Sequence, residues 1–206
     1  AEVIAGLRKP ESGKIYLEGE DVTGCNAHEL TMKMLSYIPE ERMRDGMIKD
    51  FTVSENMILR EHDQPKFSKS GFLRLRAIEN HTKELIDQYQ IKTPSQKTHV
   101  KSLSGGNIQK LVLARELSRK PRIIVAAQPT RGLDIGAAEY VREQLILQRN
   151  EGTAVLLISE DLDEIFALSD RIAVIYEGRI MDILSREEAT KEKVGLLMAG
   201  VFPGAD

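Results

Sequence analysis

Two uninterrupted apolar runs, Ile123-Ile124-Val125-Ala126-Ala127 and Ala154-Val155-Leu156-Leu157-Ile158, stand out from a chain in which apolar and polar positions otherwise follow helical or strand rhythm. Each is too short for a helix and far too short for a membrane span, so both read as parallel strands buried on both faces. A briefer run, Leu35 to Ile38, reads as a third strand, stopped by Pro39, which cannot donate to a sheet ladder. Val3, Ile4 and Leu7 recur at helical spacing and read as the tail of a helix ended by Lys9-Pro10-Glu11-Ser12-Gly13. Positions 14–18 alternate as a strand, and positions 27–34 suit a short helix.

From Phe51 the rhythm turns helical. Ser54 can cap a segment running to Leu59, and Leu75, Ile78, Thr82, Leu85, Ile86 and Tyr89 line one face of a longer helix. After residue 118, strand and helix alternate again. A helix from Gly136 to Asn150 follows the first apolar run, and a helix capped by Asp161, with Glu164 in its third position, follows the second. Two strands then flank Glu177-Gly178, and a last helix spans positions 186–198. The expected plan is α/β: the start of a core over residues 1–50, an α-helical subdomain inserted at 51–118, and the rest of the core over 119–206.

Composition narrows the classes. The 206 residues are 41% hydrophobic, enough for a sizeable core, and the formal net charge is −3, which argues against nucleic acid as the main partner. Cys25 is the single cysteine and cannot form an internal disulfide; with no charged-then-apolar leader at the start, the expected setting is cytoplasmic. His28, His62, His81 and His99 are scattered without ligand spacing, so no protein-bound metal is expected.

The candidate chemistry lies in Leu103-Ser104-Gly105-Gly106-Asn107-Ile108-Gln109-Lys110. A serine and two glycines ahead of a helical pattern offer a hydroxyl, close backbone approach and N–H groups at the positive end of a helix dipole, which together make an anion cradle. Paired glycines alone would mark an ordinary turn. The second string, Gln128-Pro129-Thr130-Arg131-Gly132-Leu133-Asp134, changes that reading. The two strings, in this order and at this spacing, resemble the signature motif and the Walker B to D-loop passage of ABC-type ATPases, and residues 162–165 and 169–180 extend the resemblance over essentially the whole chain.

The resemblance implies a P-loop NTPase-like ABC ATPase core, with ATP and Mg2+ as cofactors. It also implies a glycine-rich phosphate loop ending in Lys-Ser or Lys-Thr, and no such loop occurs in the 206 residues. The expectation is an N-terminally truncated core whose phosphate loop precedes residue 1. Four further positions depart from the family's pattern: Ala127 replaces the Walker B aspartate, Gln128 the catalytic glutamate, Glu160 the switch histidine and Glu40 the Q-loop glutamine. A methyl group cannot support magnesium, and an amide cannot take a proton from water, so this chain's own site is expected not to hydrolyse ATP.

The signature half looks intact, with Asn107 where glutamine is commoner in the family. Ser104, Gly105, Gly106, Asn107 and Gln109, with Asp134 of the D-loop, would then act in trans on nucleotide held by a second ABC half. More narrowly, this combination resembles the C-terminal, degenerate half of the double-length ATPase subunits of simple-sugar and nucleoside importers, with Ala126 to Asp134 resembling the nucleoside branch, which implies a polytopic permease partner and a place on the inner face of the cell membrane. Two alternatives stay open: a self-sufficient ATPase using Glu160 or Asp161 as substitute base, and an ABC-type ATPase of DNA repair or translation. The basic and aromatic stretch from Lys66 to Arg76 also stays open between a solvated loop and a contact with the membrane subunit, with nucleic acid or lipid headgroups as weaker readings.

Overall fold

The computed structural model describes residues 1–201. They divide into two compact units, Ala1–Ile158 and the residues from Ser159 on, each with its own core.

The first unit opens with one helical turn instead of a helix tail. Its end is set by Gly6, at φ +72°: Leu7 N–H donates to Glu2 O at 2.9 Å and Gly6 N–H to Val3 O at 3.2 Å, the paired bonds of a Schellman stop. A Cβ on Gly6 would lie 2.7 Å from the Asn26 backbone. Gly6→Ala is therefore expected to destabilise the protein by roughly 2–3 kcal/mol, read as a lower denaturant midpoint with unchanged slope.

The strand expected at 14–18 contracts to β1 (Tyr16–Leu17), which pairs antiparallel with β2 (Glu20–Asp21) around Gly19. Helix α1 (Ala27–Met32) starts in a capping box between Asn26 and Glu29. Strand β3 (Leu35–Ile38) has the predicted bounds and is buried throughout. A π-helical turn, Arg42–Gly46, follows.

Helix α2 (Val53–Met57) is capped by Thr52, not Ser54, because Thr52 and Glu55 make the reciprocal box while the Ser54 hydroxyl donates to Gln96 O at 3.1 Å. The basic stretch folds into a hairpin, β4 (Ser68–Lys69) with β5 (Phe72–Leu73). Helix α3 (Leu75–Gln88) buries Ile78, Thr82 and Leu85 but leaves Leu75 67% exposed, so the predicted stripe holds only past its first turn. Helix α4 (Gly105–Leu117) buries nine of its 13 residues, which marks it as a core element packed on all sides and not a surface helix.

Strand β6 (Ile123–Ala127), helix α5 (Ile135–Asn150) and strand β7 (Ala154–Ile158) complete the unit. The sheet is parallel in the order β3-β6-β7, with Leu35 opposite Ile123 and Ala127 opposite Ile158. β6 is central and buried as expected. β7, an edge strand among the described residues, is not fully buried: Leu156 is 42% exposed. The Ser36 hydroxyl of β3 donates to Glu116 O at 2.8 Å and ties α4 to the sheet.

The second unit contains α6 (Leu162–Leu168), β8 (Arg171–Tyr176), β9 (Arg179–Ser185) and α7 (Lys191–Met198). Asp161 caps α6 as expected. Glu177 and Gly178, at φ +45° and +76°, make the two-residue turn between β8 and β9. The last helix starts five residues later than predicted, at Lys191, because Ser185 and Glu188 bond each other and hold a turn there, leaving Thr190 as the cap. Ile172, Val174, Leu184, Val194 and Leu197 form its core.

Candidate functional site

The signature residues meet the D-loop at the N-terminus of α4. Ser104 is the N-cap residue, and its Oγ accepts from Asn107 Nδ2 at 2.9 Å and from Asn107 N–H at 3.4 Å. Both bonds are accepted, so the hydroxyl proton remains to be donated outward. Ser104 is exposed at the tip of a helix whose body is buried, where the dipole favours an anion. Asn107 is half-buried: its Oδ1 accepts from Lys92 N–H at 2.7 Å while its Nδ2 donates to Ser104, so it bridges the loop before α4 to the cap.

The two glycines sit in tight places. A Cβ at Gly105 would lie 3.1 Å from Arg42 Nη2, and one at Gly106 would lie 3.2 Å from the Ala137 Cβ. Asp134 caps α5, accepting from Ala137 N–H at 2.9 Å, which brings the D-loop carboxylate beside the signature glycines.

Gln109 corrects one expectation. It is 1% exposed and donates from Nε2 to Pro129 O at 2.8 Å. Buried in this way it cannot contact a nucleotide; it braces α4 against the turn after β6.

Ala127 ends β6 at 4% exposure, packed in the cluster with Ala5, Leu35, Tyr37 and Val125. Gln128 has φ +46°, rare for a residue with a side chain, and its N–H donates to Ile158 O at 2.8 Å. Beside Ala127 lies a cleft of about 320 Å3, lined among others by Glu2, Arg8, Glu40, Glu41, Arg44 and Asp45. Arg8 pairs with Glu2 at 2.8 Å and Arg44 with Asp45 at 2.8 Å. The Arg44 guanidinium holds the Asp45 carboxyl below its ordinary range. Of the four carboxylates in this lining, Glu2, Asp45 and Glu40 are each paired with an arginine. Ala127 and Gln128 supply no carboxylate for magnesium at the end of β6.

Glu40, expected at the Q-loop position, makes an ion pair with Arg131 of the D-loop. Arg42, which sequence reasoning missed, donates from Nη1 to Arg131 O at 2.7 Å and from Nη2 to Gly132 O at 3.1 Å. No spacing rule marks a contact spanning 89 residues. Glu160 belongs to the second unit, exposed just ahead of α6. Among the described residues, no group of three His, Cys, Asp or Glu side chains is arranged to hold a metal ion, and no helix is long and apolar enough to cross a membrane.

Comparison with known proteins identifies the family and the fold. The family model described as ABC transporter matches residues 1–131. The chain is 44% identical over 199 residues to the nucleoside import ATP-binding protein NupA of Lactococcus lactis, covering 97% of this chain and 39% of that protein. The guanosine import ATP-binding protein NupO of Bacillus subtilis gives the same identity and coverage. The chain thus spans about two-fifths of the length of these curated relatives. In fold it resembles a dimeric, post-hydrolysis ATP-binding cassette bound to ADP and Pi, with TM-score 0.73 at 23% identity over 90% of this chain and 78% of that one. A nucleotide-free cassette gives TM-score 0.72 at 21% identity, over 96% and 78%. By its matched motifs, its relatives and its P-loop NTPase fold, the chain belongs to the ABC transporter family of ATP-binding proteins.

Proposed function

We propose that this chain is the signature-donating half of an ABC importer's nucleotide-binding pair. Its own site is non-hydrolysing, and Ser104, Gly105 and Gly106 close on ATP whose phosphates and magnesium are held by a second half. Asp134 keeps the D-loop beside them. A polytopic permease is the membrane partner, on the inner face of the cell membrane. The names of the relatives support a nucleoside or a simple sugar as the transported solute.

The observation that carries this reading is the contrast between two ends of the same unit. At the α4 tip, an exposed hydroxyl and a helix N-terminus are turned outward. At the β6 end, a buried methyl, Ala127, is followed by an amide, Gln128, where the family's pattern carries two carboxylates. Donors preorganised at the first would stabilise charge on a γ-phosphate, whereas neither a methyl nor an amide at the second can take a proton from water.

Gln128→Ala in the full-length subunit, assembled with its permease, is expected to leave ATP turnover unchanged, because no proton passes through an amide. Losing a true general base costs ~10²–10⁴ in rate. A fall of that size would assign Gln128 a part in the chemistry and end the proposal.

A further inference from the structure

The β4–β5 hairpin lies outside the site described above, and its composition is unusual for this chain. From Gln64 to Ile78 there are four cations, Lys66, Lys69, Arg74 and Arg76, and no carboxylate, although the whole chain carries −3. All eight residues from Lys69 to Arg76 are exposed. Among them Phe72 is 79%, Leu73 50% and Leu75 67% exposed, a concentration of large apolar side chains that a soluble surface seldom carries.

The hairpin is firmly rooted. Phe67 is fully buried with Ile58 and Ile78, its ring centroid 5.0 Å from that of His81. Arg74 N–H donates to Phe67 O at 2.8 Å, and Arg74 Nη1 to Pro65 O at 3.1 Å. Ser70 and Gly71, at φ +51° and +81°, close the two-residue turn whose twist suits a hairpin. The chain thus holds exposed apolar side chains on a rooted hairpin whose only charged neighbours in sequence are cations.

We propose that this hairpin is a membrane-surface anchor whose ligand is an anionic lipid bilayer. Phe72, Leu73 and Leu75 enter the interface while Lys69, Arg74 and Arg76 meet the headgroups. The permease is the competing occupant, and the charge pattern, four cations and no carboxylate from Gln64 to Ile78, favours an anionic lipid surface. A bilayer needs only apolar insertion beside positive charge. The anchor would act whichever half of the transporter hydrolyses ATP, so it stands or falls apart from the signature reading.

The test is flotation of the full-length subunit, without its permease, with vesicles of phosphatidylcholine alone or mixed with phosphatidylglycerol. Binding is expected only to the mixed vesicles and should weaken with added salt. Lys69→Gln and Arg76→Gln should each weaken it about fivefold, and Phe72→Ser with Leu73→Ser by about tenfold or more. These positions are exposed, so an unchanged circular dichroism spectrum is expected and separates lost binding from lost folding. Failure of the unaltered subunit to float, or variants that float as well as it does, would overturn the proposal. So would photocrosslinking from position 72 that labels the permease and no lipid in the assembled transporter.

Discussion

Ser104→Ala in the full-length subunit is expected to lower ATP turnover of the assembled transporter by ~10²-fold, the usual cost of removing one preorganised donor aimed at developing charge. The argument starts from the hydrogen bonds. Both bonds to Ser104 Oγ come from Asn107, so the hydroxyl proton is available to a phosphate oxygen. Alanine removes that donor and also the cap of α4, a loss of about 1 kcal/mol that the buried helix can absorb. A donor that acts on the transition state lowers kcat when removed and leaves KM little changed, and that split is the expected result. A fall in KM-controlled binding alone, with kcat intact, would mean that Ser104 merely holds nucleotide.

The second large effect is on stability. Arg115 and Glu116 are 4% and 1% exposed in side chain, paired at 2.9 Å, and Arg60 approaches the same Glu116 oxygen at 3.3 Å. Arg115 Nη1 also donates to Gly46 O at 2.7 Å, which joins α4 to the π-helical turn after β3. Burial pushes the Glu116 carboxyl up, yet the Arg115 and Arg60 guanidiniums outweigh it and hold the group below its ordinary value.

Arg115→Met leaves that charge with one partly exposed partner and should cost about 3–5 kcal/mol in denaturant unfolding. The double change Arg115→Met with Glu116→Leu should recover most of the loss, since no lone charge then stays buried. Because the carboxyl titrates lower in the folded chain than in the unfolded one, its contribution is complete at neutral pH. It is lost as acid carries the pH below the ordinary carboxylate range and through the lowered folded value.

Elements set by their own residues were legible in the sequence. Leu35–Ile38 and Ile123–Ala127 are continuous apolar runs, and Asp161 with Glu164 is a local capping pattern, so each needed only near neighbours to be read. The misreadings came from competition or from distance. Thr52 outbid Ser54 as a cap because Ser54 found Gln96, and β7 is exposed because burial depends on what covers a sheet edge, which an apolar run does not record.

The motif residues were found by pattern, but their roles divide by burial. Ser104 faces outward whereas Gln109, five residues on, is a brace. The Arg42 contacts to Arg131 and Gly132, and the Glu40 pair with Arg131, arise only once β3 lies beside β6. They join two loops that sequence reading had to treat separately.

The most direct test of the central claim is chemical labelling at the α4 tip. Ser104→Cys, with the chain's own Cys25 replaced by serine, would be exposed in the assembled transporter to an ATP analogue carrying a thiol-reactive group on its γ-phosphate. Labelling at position 104 that disappears when the phosphate loop of the other half is disabled is the predicted result. Labelling that persists without that loop, or none at all under conditions that support transport, would contradict a signature donated in trans.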